Sequence, residues 1–360
     1  MSIKKIDWYI FKKFILTFFI ALVLIIAIVI IFDISEKIDN FVRTQAPLKA
    51  IILDYYVNFV PYFMNMFSPL FVFITVIFFT SRLAANSEII AILSGGVSYH
   101  RMMVPYIVSA ALIALVSLGL SNLVIPQANA KRIKFEEQYI KSKSIFNRDV
   151  HYQIEPGQFV YVESFSSWNS TAYNFTLEKV EDNILKSKLS AETARWDTTR
   201  CNWHLVNYTL RTYQDGFEDR VVCGEAIDTT INLSIKDFYR NEKTVETLSY
   251  NALNDLIRTQ KMRGDAKVMY AQIEKANRFS MPFSAFILTI MGVALSSKKK
   301  RGGIGWNLAV GIALSFSYIL FMKFSQMFVY TGVMSATLAL WLPNILYAII
   351  AAVLYRLAPK

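Results

Sequence analysis

Residues 14–32 read Phe-Ile-Leu-Thr-Phe-Phe-Ile-Ala-Leu-Val-Leu-Ile-Ile-Ala-Ile-Val-Ile-Ile-Phe, nineteen residues without a charge. A bilayer core of about 30 Å takes roughly 20 apolar residues in a helix, so this run alone points to a membrane span. Its apolar run is too long for a cleaved signal peptide, and no small-residue cleavage site follows Phe32. Five further stretches have the same character: Phe59–Phe79, Val104–Ile125, Phe279–Leu295, Asn307–Phe328 and Leu338–Leu354. Among these, Asn307–Phe328 carries one charge, Lys323. The whole chain agrees, being 54% hydrophobic and only 18% charged over 360 residues. Collagen-like, disordered and disulfide-scaffold classes are excluded by 13 Gly, 9 Pro and 2 Cys.

The net charge of +11 is a topology signal. With six spans, the N-terminus, the second-to-third loop, the fourth-to-fifth loop and the C-terminus share one side. They hold twelve basic residues against two acids, Asp7 and Glu88. The positive-inside rule makes that side cytoplasmic, with both termini on it. This asymmetry accounts for nearly all of the net charge, so nucleic acid is not an expected partner.

The long polar region, about Gln127–Arg278, then lies outside, and its 22 basic and 21 acidic residues nearly cancel. Alternating runs at Gln158–Phe165, Tyr173–Lys179, Leu185–Ala191, Trp203–Arg211 and Arg220–Glu225 read as strands. Pro156-Gly157, Asp182-Asn183 and Asp215-Gly216 separate them, and Asp215-Gly216 is the strongest hairpin signal. An all-β sandwich or open barrel is expected, flanked by helices over Ala128–Lys143 and Leu248–Arg278. A tight turn at Asp215-Gly216 sets Cys223 opposite Leu205 rather than Cys201, leaving both a disulfide and two free thiols open. The expected division is a first membrane half over 1–126, the insert over 127–278, and a second membrane half over 279–360.

No enzyme chemistry is legible. Gly302-Gly303-Ile304-Gly305 lacks the Lys-Ser/Thr and preceding strand of a phosphate-cradling loop. His100, His151 and His204 have no metal-ligand spacing, and no nucleophile elbow occurs. An ion-coupled transporter needs paired ionisable groups in its spans, and only Lys323 lies in one. One cytoplasmic segment is distinctive: Ser87-Glu88-Ile89-Ile90-Ala91-Ile92-Leu93-Ser94-Gly95-Gly96-Val97-Ser98. It predicts a short helix ended by Gly95-Gly96, with Ser87 as cap and with Glu88, Ala91, Ile92 and Gly95 on one face. The pattern fits a helix lying on the membrane surface with Glu88 solvated, or a docking helix whose small-residue face and carboxylate suit a basic partner.

That segment, the six spans and the insert between the third and fourth resemble the LptF/LptG permease family, the membrane subunits of the lipopolysaccharide exporter. Asp7-Trp8-Tyr9-Ile10, Ile125-Pro126-Gln127 and Asn277-Arg278-Phe279-Ser280-Met281-Pro282 are similar to the family as well. The resemblance covers essentially the whole chain. It implies an α+β membrane protein of the inner membrane, with six transmembrane helices and a periplasmic β-jellyroll-like domain between the third and fourth. It implies a non-catalytic subunit that takes lipopolysaccharide, or a related glycolipid, from the inner membrane to a periplasmic bridge. The implied partners are a cytoplasmic ABC ATPase dimer, a second LptF/LptG-type permease, periplasmic jellyroll proteins of the LptC/LptA type, and lipopolysaccharide. This chain needs no cofactor of its own, because ATP-Mg belongs to the ATPase.

The same resemblance makes the distinctive segment a coupling helix, with Ser87, Glu88, Ala91, Ile92, Ser94 and Gly95 as its contact residues. Family members commonly carry a basic residue at the outer end of the first span, and their lateral gate involves the first and fifth spans. Here that end reads Ile31-Phe32-Asp33, with Lys37 a turn later. Lys37, Arg43, Arg278 and Lys323 are therefore the expected headgroup contacts. Lys323 lies about 24 Å along its helix from Asn307, toward the outer leaflet. Tyr161 and Val206 are the expected inward positions of an acyl-chain path through the insert. The competing reading is a membrane scaffold whose β domain tethers a periplasmic partner.

Overall fold

A computed structural model describes residues 5–140, 146–166, 168–198, 200, 202–214, 217–235, 238, 242–265, 267–297 and 303–358. The chain divides into two compact units. The membrane unit comprises Met1–Ile140, Glu246–Tyr250 and Gln272–Lys360, and the β unit comprises Lys141–Val245 and Asn251–Ala271.

Six helices of the described residues are long and apolar enough to cross a membrane. They are α1 (Lys5–Arg43), α2 (Leu48–Ala85), α4 (Tyr99–Ile140), α6 (Val268–Ser296), α7 (Gly303–Tyr330) and α8 (Ala336–Leu357). Between α2 and α4 lies the short α3 (Glu88–Ser94), and α5 (Tyr250–Met262) precedes α6. The helices extend well beyond the apolar runs, because the polar residues at their ends can stay helical outside the hydrocarbon. The second flank of the insert is two helices, α5 and α6, rather than one. The chain breaks at Gly264, where φ is +63°. In α4 a π turn at Leu120–Val124 precedes Pro126, whose missing N–H and ring prevent a regular turn at that point.

The membrane unit packs around one stripe of α1. Ile10, Phe14, Phe18 and Leu22 recur every four residues and bury against Val72, Val76 and Phe79 of α2 and Tyr106 and Ile113 of α4. Buried polar side chains pair between helices, as lipid cannot satisfy them. Asn65 bonds both Ser117 and Ser121 at 2.6 and 2.9 Å, and Asn344 joins Tyr318 to the Ser280 carbonyl at 2.9 and 2.8 Å.

The β unit is built on one six-stranded antiparallel sheet in chain order: β1 (Phe146–Glu155), β2 (Gln158–Ser166), β3 (Thr171–Glu181), β4 (Ile184–Asp197), β5 (Asn202–Gln214) and β6 (Phe217–Thr229). All five expected strands are present, and β1 is an additional one. Gln214 pairs with Phe217, while the Asp215-Gly216 tip and Cys201 lie outside the described residues. Cys223 pairs with Thr209, not Leu205: the Gln214–Phe217 pairing alone sets it opposite Tyr208, and the register shift at Thr212/Tyr213 moves it one residue further. Asp182 and Asn183 both have positive φ, as a two-residue hairpin of the type I′ kind requires.

A crease lets a single sheet form its own core. Along each of β2–β5 the inward residues are spaced by two until one row, where the spacing becomes three: Val162 to Phe165, Ala172 to Phe175, Ala191 to Ala194, and Leu205 to Tyr208. The row carries Asp149, Glu163, Asn174, Glu192, Asn207 and Glu225, all exposed. Asp149, Asn174 and Asn207, on alternate strands, have φ near +50°. Asp and Asn enter this left-handed region more readily than other non-glycine residues. Asn174 donates to Glu163, and Asn207 to Glu192 at 2.6 Å. The apolar faces on both sides of the crease thus meet one cluster, covered by Leu233 and Phe238. Trp203 is fully buried there and donates its indole N–H to the Leu233 carbonyl at 2.8 Å.

Candidate functional site

α3 is anchored on one side and bare on the other. Ile89 is buried in the helical core, and Ile92 and Leu93 pack partly against it. Ile90, Ala91, Ser94 and Gly95 are exposed. Ile92 therefore belongs to the anchoring side and not to the face of Ala91 and Gly95, while Ile90 takes its place outside. Ser87 does not cap the helix with its hydroxyl: its φ of +61° turns the chain out of α2, and only its carbonyl accepts the first helical bond. The helix stops as the sequence predicts. Val97 N–H donates to the Ile92 carbonyl at 3.3 Å and Gly96 N–H to Leu93 at 3.1 Å, a Schellman closure with Gly96 at φ +82°.

The Glu88 carboxylate is engaged on both oxygens. Tyr9 of α1 donates its hydroxyl to Oε2 at 3.2 Å, and Asn86 donates to Oε1 at 3.3 Å. Lys13 donates to the Tyr9 oxygen at 2.5 Å and lies 4.4 Å from the ring centroid. Beside them Arg101 of α4 forks onto Asp7, with Nη1 at 2.8 Å from Oδ1. Both acids of the basic end are thus tied to residues of the chain itself.

The four basic residues expected at the headgroup level are differently occupied. Lys37 donates to Asp33 and Tyr55, and Asp33 also accepts from Tyr56 at 3.1 Å. Arg43 is exposed at the last turn of α1. Arg278 is only 3% exposed; its Nε donates to Glu274 at 2.7 Å and its Nη2 to the Leu248 carbonyl at 2.9 Å. Lys323 is exposed on α7 and acts electrostatically on Glu246.

Glu246 is the centre of a polar network that sequence reasoning missed. It accepts from Tyr62 of α2 and Asn129 of α4, each at 3.2 Å. Arg132, buried on α4, lies 4.8 Å from the Tyr62 ring centroid and 3.9 Å from Glu136. Two pairs were visible as i,i+4 spacings, Arg132–Glu136 and Glu274–Arg278. Nothing marked Glu246.

In the β unit, Tyr161 and Val206 do not face the apolar core. Val160 and Val162 bracket Tyr161 and point inward, so Tyr161 points out, where its ring lies tilted with its centroid 4.6 Å from that of His151 and its hydroxyl donates to Asp149 at 3.2 Å. Leu205 is inward, and Val206 follows it as an extra residue of the crease. Strict alternation selects the wrong parity at both places.

Six membrane-capable helices, an antiparallel sheet inserted between the third and fourth, and a presented helix in the second-to-third connection define the class as a multi-pass membrane protein. The chain belongs to the lipopolysaccharide export system permease LptF/LptG family, whose model matches residues 8–357. Membership implies a lipopolysaccharide export permease, a transporter subunit. No curated protein matches the chain.

Proposed function

We propose that this chain is the non-catalytic permease subunit of an ATP-binding-cassette exporter that takes lipopolysaccharide from the inner membrane to a periplasmic bridge. The observation that carries the reading is α3, a helix anchored by Ile89 whose face of Ile90, Ala91, Ser94 and Gly95 is left bare. Small residues allow a partner to approach closely, and the Schellman closure at Gly96 fixes the helix's C-terminal end. A cytoplasmic ABC ATPase dimer docks there and supplies ATP-Mg. A second LptF/LptG-type permease completes the membrane part, and jellyroll proteins of the LptC/LptA type continue the path from the β unit. The membrane is the bacterial inner membrane with both termini cytoplasmic, as the twelve-to-two charge asymmetry supports. Affinity purification of the tagged chain from its membrane tests the reading. Recovery of an ABC-type ATPase whose hydrolysis rises with lipopolysaccharide is expected. A chain recovered with a periplasmic partner and no ATPase is a tether instead.

A further inference from the structure

The long first helix is held weakly along its body and firmly at its ends. Only 22% of its most apolar stretch is buried within the chain, against 67% for α2. Its contact is a narrow stripe, one buried residue per turn from Ile10 to Ile26. Such a stripe resists sliding poorly, because apolar side chains in lipid gain little from one neighbour over another. Directed bonds therefore decide what α1 follows. At the end carrying the termini, those of the described residues include Asp7 to Arg101 of α4 and Tyr9 to Glu88 of α3.

The second bond reaches the helix proposed above as the ATPase dock, and the inference rests on that reading. Glu88 stands at a junction. Its Oε1 takes Asn86 at the end of α2, its Oε2 takes Tyr9, and its backbone opens α3. Lys13, one turn further along α1, donates to the Tyr9 oxygen and so commits the hydroxyl proton to Glu88. The sequence between α2 and α3 turns through the left-handed Ser87. A push on α3 has no straight covalent path into a membrane helix at that point.

We infer that Tyr9 is a positioning residue that ties α1 to α3 through Glu88, so that displacement of the docking helix by its partner moves α1 directly. Tyr9 touches neither nucleotide nor the bare face of α3, and its loss leaves the dock itself in place. The bond is exposed, so its removal changes stability little while breaking the linkage between two helices.

The test uses the complete transporter in proteoliposomes containing lipopolysaccharide, with the wild type, Tyr9→Phe, Glu88→Ala and the double variant. Tyr9→Phe is expected to recover the ATPase at the wild-type ratio, with lipopolysaccharide stimulation of hydrolysis reduced about fivefold. Glu88→Ala also loses the Asn86 bond and is expected to be the worse single variant; the double variant is expected to be no worse than it, because the Tyr9 bond is already gone there. Wild-type stimulation in Tyr9→Phe, additive losses, or reduced ATPase recovery in Tyr9→Phe each overturn the role. If the wild-type chain recovers no ATPase, the docking reading itself fails, and the inference with it.

Discussion

The Tyr62 hydroxyl of α2 donates to the Glu246 carboxylate across 3.2 Å, joining positions 184 residues apart. Burial pushes Glu246 up to about 7 from its ordinary 4.5, and Glu274 adds to this, while Arg132, the Tyr62 bond and Lys323 pull it down. A carboxyl raised on folding binds its proton more tightly in the native state. Stability from this group is full below about pH 4.5 and is lost as pH rises to about 7. The loss is roughly 3 kcal/mol at most. Thermal unfolding in detergent should therefore show a melting temperature that falls between pH 5 and pH 8. Glu246→Gln removes the titrating group while its one amide oxygen can still accept from Tyr62 or Asn129, and should flatten that slope. Parallel slopes for the two proteins would show that Glu246 does not titrate in this window.

Lys37 gives a second contrast. Its ammonium already satisfies Asp33 and Tyr55, in a site where both charged side chains are largely covered. Lys37→Met leaves Asp33 with Tyr55 and Tyr56 but no cation, and should destabilise the protein by about 2 kcal/mol. Pairing it with Asp33→Asn should recover most of that loss, as removing both charges costs less than stranding one. A residue that serves a lipid headgroup predicts the opposite pattern: near-native stability in Lys37→Met and reduced lipopolysaccharide binding that Asp33→Asn does not restore.

The spans were legible because a charge-free run such as Phe14–Phe32 has few alternatives, and the order of elements followed from them. β1 was missed although Val150, Tyr152 and Ile154 alternate with His151, Gln153 and Glu155, a readable half-buried pattern; only Arg148 and Asp149 break it, and pairing with β2 carries the strand past them. The crease misled the reading of Val206 because one extra residue per strand resets the alternation without changing the composition. Asn207 itself was the readable clue, a residue suited to positive φ in the middle of an otherwise strand-like run. The Glu246 network was out of reach for another reason. Its members sit on four separate helices and one connection, and no local spacing brings Tyr62, Asn129 and Glu246 together. Ile92 was assigned to the outer face because the helical period places it near both sides, and only the burial of Ile89 decides which side is anchored.

The crease is testable at Asn207, where φ is +52°. Asn207→Val puts a β-branched side chain into the left-handed region and also removes the bond to Glu192, and should cost about 2 kcal/mol. Asn207→Gly loses the same bond but relieves the backbone, and should stay within about 1 kcal/mol of the parent. Chemical denaturation of the full chain followed by the fluorescence of buried Trp203 separates them. Equal losses in the two variants would assign the cost to the hydrogen bond and not to the backbone.

Orientation is tested by fusion. A reporter active only in the periplasm should work when placed at Gly216 and fail when placed at Lys299, given the basic loops on the side of the termini. The reverse pattern would invert the topology and remove α3 from the cytoplasm.

Two glycines probe how tightly the membrane helices meet. A Cβ on Gly292 of α6 would stand 2.9 Å from Val76 Cγ1 and 3.1 Å from the Phe73 ring, both on α2. Val76 and Phe73 are fully buried, and Val76 is stiff at its branched carbon, so neither can withdraw. On α7, a Cβ on Gly311 would meet Ile77 at 2.3 Å; Ile77 is also fully buried and stiff at its branched carbon, but the obstacle is its terminal Cδ1, which rotation about χ2 alone can move. The two positions should respond differently to enlargement. Gly292→Leu should cost about 3 kcal/mol and lower the yield of folded protein from the membrane, since overpacking forces the helices apart. Gly311→Ala should be near neutral, with the cost of moving Ile77 offset by about 1 kcal/mol of helix propensity. Thermal unfolding in detergent distinguishes them, and a Gly292→Leu protein as stable as the parent would mean that α2 and α6 do not pack this closely.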